Sequence, residues 1–225
     1  MRIFVPTILL AFSASAVHAQ LGKRPMTVGG GMEIGFPIGE FNTTWGRQVA
    51  GLSANFTVPL RRLPFDYGFD FAWGRMGGDS RSVLIQEEYL PDNGDLRIRS
   101  NVYGYHGLLR LKPFTGKVSP YIEAMAGARH FVTRTVIRVE GMDQPYFEQR
   151  NQSEVTSSVG WAAGVQIAPT KAFYVEGRVE RLNGGQVTYV DPRSITIGSD
   201  GQVDYQTLTS GTRVVNFQLG IGLRF

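Results

Sequence analysis

The chain has 225 residues, a formal net charge of +4 at pH 7 and no cysteine. The lack of cysteine in the sequence excludes disulfides, thiol chemistry and a lipid attached to an N-terminal cysteine. The length fits a single domain, and the charge is too small to suggest a nucleic-acid partner. Glycine is frequent, with 28 residues, aromatic residues make up 12% of the chain, and no stretch has the periodicity of an amphipathic helix.

The first 19 residues have the pattern of a secretory signal peptide. Arg2 precedes an apolar run over residues 3–12, and a small-residue cleavage site ends at Ala19, directly before Gln20. The apolar run is shorter than the ~20 residues that a membrane-spanning helix needs. We therefore expect cleavage between Ala19 and Gln20, and a mature domain over residues 20–225 with a net charge of +3, which is +4 less the charge of Arg2.

The rest of the chain is predicted to form strands. No later stretch is long and apolar enough for a membrane-spanning helix, so a membrane protein made from this chain must be a barrel, because only helices and closed barrels satisfy all backbone groups in lipid. Alternation of apolar and polar residues, which is typical of strands with two unlike faces, predicts eight strands. They span residues 27–36, 47–58, 65–73, 101–112, 120–128, 154–167, 172–180 and 214–225.

The connections between these strands alternate in length. Those after the second, fourth and sixth strands are short, and most of the others are longer, as in barrels with short periplasmic turns and long outer loops. The connection after the third strand contains an Asn-Gly pair at residue 93, a strong hairpin-turn signal, so strands three and four are expected to continue beyond the membrane. A second hairpin is expected over residues 191–210, with its turn at residues 199–201. Asp92 and Asp95 form part of a calcium-loop pattern, but its distant glutamate is missing, and no calcium site is expected.

The last strand, VVNFQLGIGLRF, has the clearest alternation in the chain. Its apolar face is unbroken, whereas glycine, asparagine, glutamine and arginine occupy the other face, as expected for a strand between lipid and a wet lumen. With its terminal phenylalanine, this strand resembles the last strand of bacterial outer-membrane β-barrels, which the barrel-assembly machinery reads. The residues that would carry this assembly signal are Phe217, Leu219, Ile221, Leu223 and Phe225.

The resemblance covers the whole mature chain and is to the small barrels of the OmpA/OmpX type. It implies an all-β fold, an eight-stranded antiparallel up-and-down transmembrane β-barrel with protruding outer hairpins, in the bacterial outer membrane and in contact with its lipid. A soluble barrel of the lipocalin type would reverse the faces, with apolar side chains inside; the terminal strand, the loop lengths and the glycines on the polar face favour the membrane barrel. Aromatic residues near the short turns are expected to form the inner girdle: Phe65, Tyr67, Phe114, Tyr121, Phe173, Tyr174 and Phe225.

The inward-facing residues of an eight-stranded barrel fill its lumen. Acidic and basic residues are balanced there, and we expect them to pair across the lumen and plug it, because an unpaired buried charge is very costly. The alternative is that the carboxylates line an ion path, which would make the protein a narrow pore for small solutes. The predicted charge network consists of Glu33, Asp70, His106, Arg110, Glu123, Arg129, Glu176, Arg178, Glu180 and Arg224.

Some small outer-membrane barrels modify lipid A with a histidine, a serine and an acid near the membrane edge. The mature chain has two histidines, His106 and His130, and neither lies in a His-x-Ser arrangement on its own strand; a partner on a neighbouring strand remains open. We expect no cofactor and no metal site. The sequence therefore favours a non-enzymatic outer-membrane barrel with a structural role or a role in binding a surface protein or ligand through its outer hairpins; the alternatives are a narrow pore and a lipid A-modifying enzyme.

Overall fold

The computed structural model describes residues 24–87, 90–139, 144–197 and 203–225. The predicted signal peptide with its cleavage site at Ala19 and Gln20, and the predicted turn at residues 199–201, lie outside these ranges. Within the described ranges, no helix is long and apolar enough to cross a membrane. The strands and the single helix of this part of the chain are β1 (Thr27–Pro37), α1 (Glu40–Thr44), β2 (Val49–Pro59), β3 (Phe65–Glu87), β4 (Leu90–Leu111), β5 (Val118–Val139), β6 (Phe147–Ile167), β7 (Phe173–Gly184), β8 (Gln186–Val190), β9 (Thr196–Ile197), β10 (Val203–Asp204), β11 (Thr207–Gly211) and β12 (Val214–Arg224).

Eight of these strands close into an antiparallel barrel in the order β1-β12-β7-β6-β5-β4-β3-β2. The first and last strands of the barrel pair along their whole length, from Thr27 with Arg224 to Pro37 with Val214. This pairing leaves no free sheet edge, so every strand can satisfy its backbone groups inside the wall. The predicted fold class is therefore confirmed. The short helix α1 in the first outer connection was not predicted.

Apolar side chains cover the outside of the barrel and charged side chains fill its inside. Met32, Phe69 and Leu219 are exposed by 73%, 71% and 69%, whereas Arg110 and Glu176 are buried. A large exposed apolar belt around a polar interior would be unstable in water and is the arrangement of a transmembrane barrel. These faces exclude the lipocalin-type alternative, and the protein is an outer-membrane barrel in contact with lipid.

The aromatic girdle at the periplasmic border of the membrane differs from the prediction at two positions. Tyr121 and Tyr174 are 3% and 0% exposed, because their inward parity places both rings in the lumen. Phe225 and Tyr67, in contrast, are exposed to the outside as predicted.

One side of the barrel is much taller than the other. Strands β1, β2 and β12 have 11 residues and β7 has 12, close to the 9–11 that a tilted membrane-spanning strand needs. Strands β3, β4, β5 and β6 have 23, 22, 22 and 21 residues. The surplus of about ten residues corresponds to about 33 Å of strand and forms what we call the outer extension.

The hairpin between β3 and β4 turns at a different place from the one predicted. Glu87 pairs with Leu90, and Asn93 pairs with Leu84 inside the ladder. The Asn-Gly pair therefore lies within β4 and does not form the turn of this hairpin. The prediction that both strands continue beyond the membrane is confirmed.

Candidate functional sites in the lumen and outer extension

Arg178 is the centre of the charge network in the lumen. Its guanidinium lies 2.8 Å from Asp70 Oδ2, 3.0 Å from Glu123 Oε2 and 2.9 Å from Glu180 Oε2, and its side chain is fully buried. It also donates to Gln218 Oε1 over 3.1 Å. Because these partners come from β3, β5, β7 and β12, one side chain ties both halves of the barrel together.

Arg110 forms a second, linked centre. Its Nε atom lies 2.5 Å from Glu123 Oε1 and its Nη2 atom 3.3 Å from Glu176 Oε1. Tyr121 donates its hydroxyl hydrogen to Glu176, and the guanidinium carbon of Arg110 lies 3.9 Å from the centre of the Tyr121 ring. Glu123 bridges Arg110 and Arg178, so the two centres form one continuous network.

The periplasmic end of the lumen contains a cation that was not predicted. Arg24, which precedes β1, lies 2.6 Å from Asp66 Oδ1 with its side chain 10% exposed, and Lys112 Nζ donates to Gln166 Oε1 over 2.5 Å. Arg24 was missed because it lies outside any alternating segment. Arg224, a predicted network member, lies over the Tyr174 ring at 5.6 Å and forms no ion pair with the described residues.

The other predicted network residues surround a small cavity above Arg178. Glu33, His106, Arg129 and Asn216 line this cavity, whose volume is about 30 Å³, enough for about two water molecules. Neither ring nitrogen of His106 has a hydrogen-bond partner in the described part of the chain. Arg129 donates to the Thr212 carbonyl oxygen over 2.9 Å. Polar groups that lack protein partners are suited to bind ordered water here.

The outer mouth of the barrel is filled by an apolar cluster, which we call the mouth cluster. The helix α1 contributes Phe41 and Trp45, and β8 contributes Tyr189, whose ring meets those of Phe41 and Trp45 edge to face at 5.8 and 5.5 Å. Burial raises the pKa of the Tyr189 phenol, although its hydrogen bond with Ser210 acts in the opposite direction. The remaining members come from inward-facing positions of the wall and from β8: Val49, Met76, Val102, Phe131 and Val187.

A second apolar cluster lies beyond the mouth, between the outer extension and the excursion formed by β8 to β11. Leu96, Ile98 and Ile137 from β4 and β5 pack with Val190 and Ile195. Polar contacts join the same parts: the Tyr205 hydroxyl donates to the Asn151 carbonyl oxygen over 2.9 Å, and Arg81 donates to the carbonyl oxygen of Ile195. The outer part of the molecule therefore has its own core.

The structure brings His130 together with a serine on the neighbouring strand. His130 Nε2 and Ser153 Oγ are 2.8 Å apart on the outside of β5 and β6, and the Tyr103 ring lies 6.1 Å from the imidazole. His130 makes no ion pair with a carboxylate of the described chain, so the third member of a catalytic triad is not in place there. Spacing along one strand could not reveal this pair, because the two residues meet only through the β5–β6 register.

The predicted assembly-signal residues share the outward face of β12. Their side chains are about half to two-thirds exposed, from Leu223 at 49% to Leu219 at 69%. They therefore contribute to the lipid-facing belt, while Asn216 and Gln218 on the other face point into the lumen.

Several solved structures are similar to the chain. They include Ail of Yersinia pestis in complex with the heparin analogue sucrose octasulfate, with 16% identity over 91% of this chain and 100% of that one and a TM-score of 0.49. Neisserial surface protein A has 13% identity over 89% and 97%, with a TM-score of 0.43. OprG from Pseudomonas aeruginosa has 12% identity over 91% and 98%, with a TM-score of 0.48. No protein-family model and no curated protein sequence matches the chain.

Proposed function

We propose that this outer-membrane barrel conducts no solute and catalyses no reaction, and that it presents a rigid binding surface on its outer extension. The observation that carries this proposal is that the outer part of the molecule has a buried core of its own. Strands β3 to β6 continue about 33 Å beyond the membrane span, and their inner face packs on β8 to β11 through a fully buried core that includes Leu96, Val190 and Ile195. A surface built in this way is pre-organised, and a pre-organised surface loses less entropy when it binds a partner.

Two separate groups of side chains block the lumen and argue against a pore. The network around Arg110 and Arg178 occupies the inner half of the lumen, with side chains that are 0% exposed. The mouth cluster around Phe41 fills the outer end. A hydrated ion would have to displace both, and the cavity of about 30 Å³ between them holds only isolated water.

Single-channel recording in a planar bilayer tests the closed lumen. We expect silence from the mature chain, refolded and checked by the shift in gel mobility on boiling. Steady openings from a sample that passes this check would overturn the proposal in favour of a narrow pore.

Shortening the outer extension tests the binding surface. A short turn in place of residues 82–95 removes its tip but keeps Leu96 and Ile98, which hold the core together. We expect cells that display the shortened protein to lose binding to a panel of secreted proteins and sulfated glycans. Replacement of residues 60–64, a turn at the other end of the barrel, by a glycine-serine turn is the control. Binding that survives the outer graft would exclude the tip of the extension as the site.

A lipid-modifying enzyme is the second candidate, and the contact between His130 and Ser153 favours it. A serine that donates to a histidine at the membrane border could attack an ester of a bound lipid. The test is the mass spectrum of lipid A from cells that express wild type, Ser153→Ala or His130→Ala. A modification that appears with wild type and disappears with both variants would establish the enzyme; identical spectra would exclude it.

We also propose that residues 1–19 are removed and that β12 carries the assembly signal. The intact mass of protein purified from outer membranes should correspond to a chain that begins at Gln20. Phe225→Ala should lower the amount of folded barrel in the membrane, since the assembly machinery would read the terminal ring, whereas Leu63→Ala, on an exposed turn, should not. Equal yields would remove Phe225 from the signal.

A further inference from the structure

Four arginines stand side by side on the outward face of the outer extension. Arg99 in β4 pairs with Arg134 in β5, which pairs in turn with Arg150 in β6. On β3 the partner of Arg99 is Gly78, and Nη2 of Arg75 lies 3.1 Å from the point where a Cβ atom of this glycine would stand. The missing side chain thus leaves room for Arg75 to join the row. We call these residues the arginine row: Arg75, Arg99, Arg134 and Arg150.

The positive charge of the arginine row is poorly compensated. Directly paired residues have Cβ atoms about 4.5–5.5 Å apart, and like charges in such pairs are destabilising. Arg134 lies 3.7 Å from Glu148 with both side chains about half exposed, which is a weak pair. Among the described residues, Arg75, Arg99 and Arg150 form no ion pair. An anion with several charged oxygens would relieve this repulsion, and the planar guanidinium fork suits phosphate oxygens in particular.

The arginine row lies at the height of lipid headgroups. The upper border of the apolar belt is marked by Tyr103, which pairs with His130, and by Val155, which pairs with His130 from the other side. Arg99 follows four residues beyond Tyr103, and Arg134 four residues beyond His130. Four residues measure about 13 Å along a strand, or about 10 Å in height for a barrel strand tilted by about 40°. The row therefore lies about 10 Å above the hydrocarbon of the outer leaflet, on the side that faces the headgroups.

A second level of cations lies directly above the row. Arg97 and Arg138 share a cleft of about 320 Å³ with Arg99, Arg134 and Tyr103. Arg97 is 3.5 Å from Asp95, and Arg138 forms no ion pair within the described ranges. The polar interface of an ordinary bilayer is about 5–8 Å thick on each side. Cations at about 10 Å and higher therefore fit a headgroup that extends further from the hydrocarbon than that of a simple phospholipid.

We infer that the arginine row binds the phosphate groups of a phosphorylated glycolipid in the outer leaflet. The row supplies guanidinium groups for the phosphates, and the cleft with Arg97 and Arg138 receives further charged groups of the headgroup. This inference deepens the proposed function, because it names a ligand class for the same outer extension. It does not depend on whether the lumen is closed.

Binding of lipid A to the refolded mature chain in detergent micelles, followed by native mass spectrometry, tests the inference. The probes are diphosphorylated lipid A, the same lipid without phosphate, and soluble polyphosphate. The row variant is Arg99→Gln/Arg134→Gln/Arg150→Gln. The control variant is Arg181→Gln/Arg193→Gln/Arg213→Gln, which removes the same charge from exposed positions outside the row. The gel-mobility shift on boiling shows whether each variant is folded; if the triple row variant is not, Arg99→Gln/Arg150→Gln replaces it.

We expect wild type and the control variant to bind diphosphorylated lipid A alike. The row variant should bind it on the order of 100-fold more weakly, since each basic residue near a membrane surface contributes a factor of roughly five. Equal loss in both variants would reduce the effect to net charge and overturn the site. Equal binding of the phosphate-free lipid would overturn the phosphate assignment. A row variant that keeps lipid A but loses soluble polyphosphate would show a soluble polyanion as the ligand. In each of these outcomes the channel recording and the outer graft still test the proposed function separately.

Discussion

Replacing Arg178 with methionine should be the most damaging single change in the lumen. Methionine has a similar length but no charge, so the change removes the contacts with Asp70, Glu123 and Glu180, which are 2.8–3.0 Å long. The three carboxylates do not lose equal shares of their hydrogen bonds and ion pairs. Glu123 keeps its 2.5 Å contact with Arg110, and Glu180 keeps the amide of Asn216 at 2.9 Å.

Asp70 has no other ion pair among the described residues, so its unpaired charge accounts for most of the expected loss of stability. Breaking a buried ion pair by removing one partner costs about 3–5 kcal/mol, because an uncompensated charge stays buried. We therefore expect Arg178→Met to lower the free energy of unfolding by about 3–5 kcal/mol. Adding Asp70→Asn removes the stranded charge and should recover about 1–3 kcal/mol of it.

The assay is a urea titration of the barrel refolded in phospholipid vesicles, followed by the fluorescence of its three tryptophans. Arg181→Met, on the exposed side of the same strand, is the matched control and should change the free energy by no more than about 1 kcal/mol. The reasoning is refuted if Arg178→Met costs less than this control, or if Asp70→Asn makes the methionine variant less stable still.

Three further changes test other parts of the barrel in the same titration. Gly222→Ala places a methyl group against the ring of Tyr174, whereas the methyl group of Gly177→Ala meets nothing within 4 Å. Gly222→Ala should therefore lower the free energy of unfolding by about 1–3 kcal/mol, and Gly177→Ala should leave it almost unchanged. Equal losses of stability would contradict this packing. Phe41→Ala removes a fully buried ring from the mouth cluster and should cost about 3–5 kcal/mol, with faster amide exchange in β8; unchanged exchange would mean that the ring does not hold the excursion. His106→Leu removes two ring nitrogens that lack protein partners and face the water-sized cavity, so it should cost about 1 kcal/mol through the lost hydrogen bonds to ordered water; a gain in stability instead would indicate that no water satisfies the ring.

The wall of the barrel could be predicted from the sequence because each strand has to satisfy two solvents at once. Lipid outside and polar groups inside force a period of two along the strand, and this period determines which way each side chain points. Met32 and Phe69 face lipid and Arg110 and Glu123 face the lumen, as their parity predicts. The girdle prediction places Tyr174 on the outside because it lies near a turn. Its parity alone predicts the lumen, where its side chain is buried.

The contents of the outer part could not be predicted in the same way. Tyr189 and Phe41 meet across the mouth although 148 residues separate them, and no local pattern records a contact at such a distance. Local turn chemistry also failed at residue 93, where the Asn-Gly pair lies inside a ladder that continues on both strands. Above the membrane there is no lipid to enforce the alternation, so packing between distant segments decides where each strand ends.

The difference between the wall and the outer part also separates the contacts that stabilise the barrel from the surface that it presents to other molecules. The lumen network joins strands that are already neighbours in the wall or face each other across it, so it fixes the wall but exposes nothing. The arginine row, in contrast, uses the regular register of β4, β5 and β6 to align like charges that weaken the sheet on their own. Folding alone gives no reason to place Arg99, Arg134 and Arg150 in one row. A sheet that keeps such a row on its outward face, at the height of lipid headgroups, is explained by an anion that binds there.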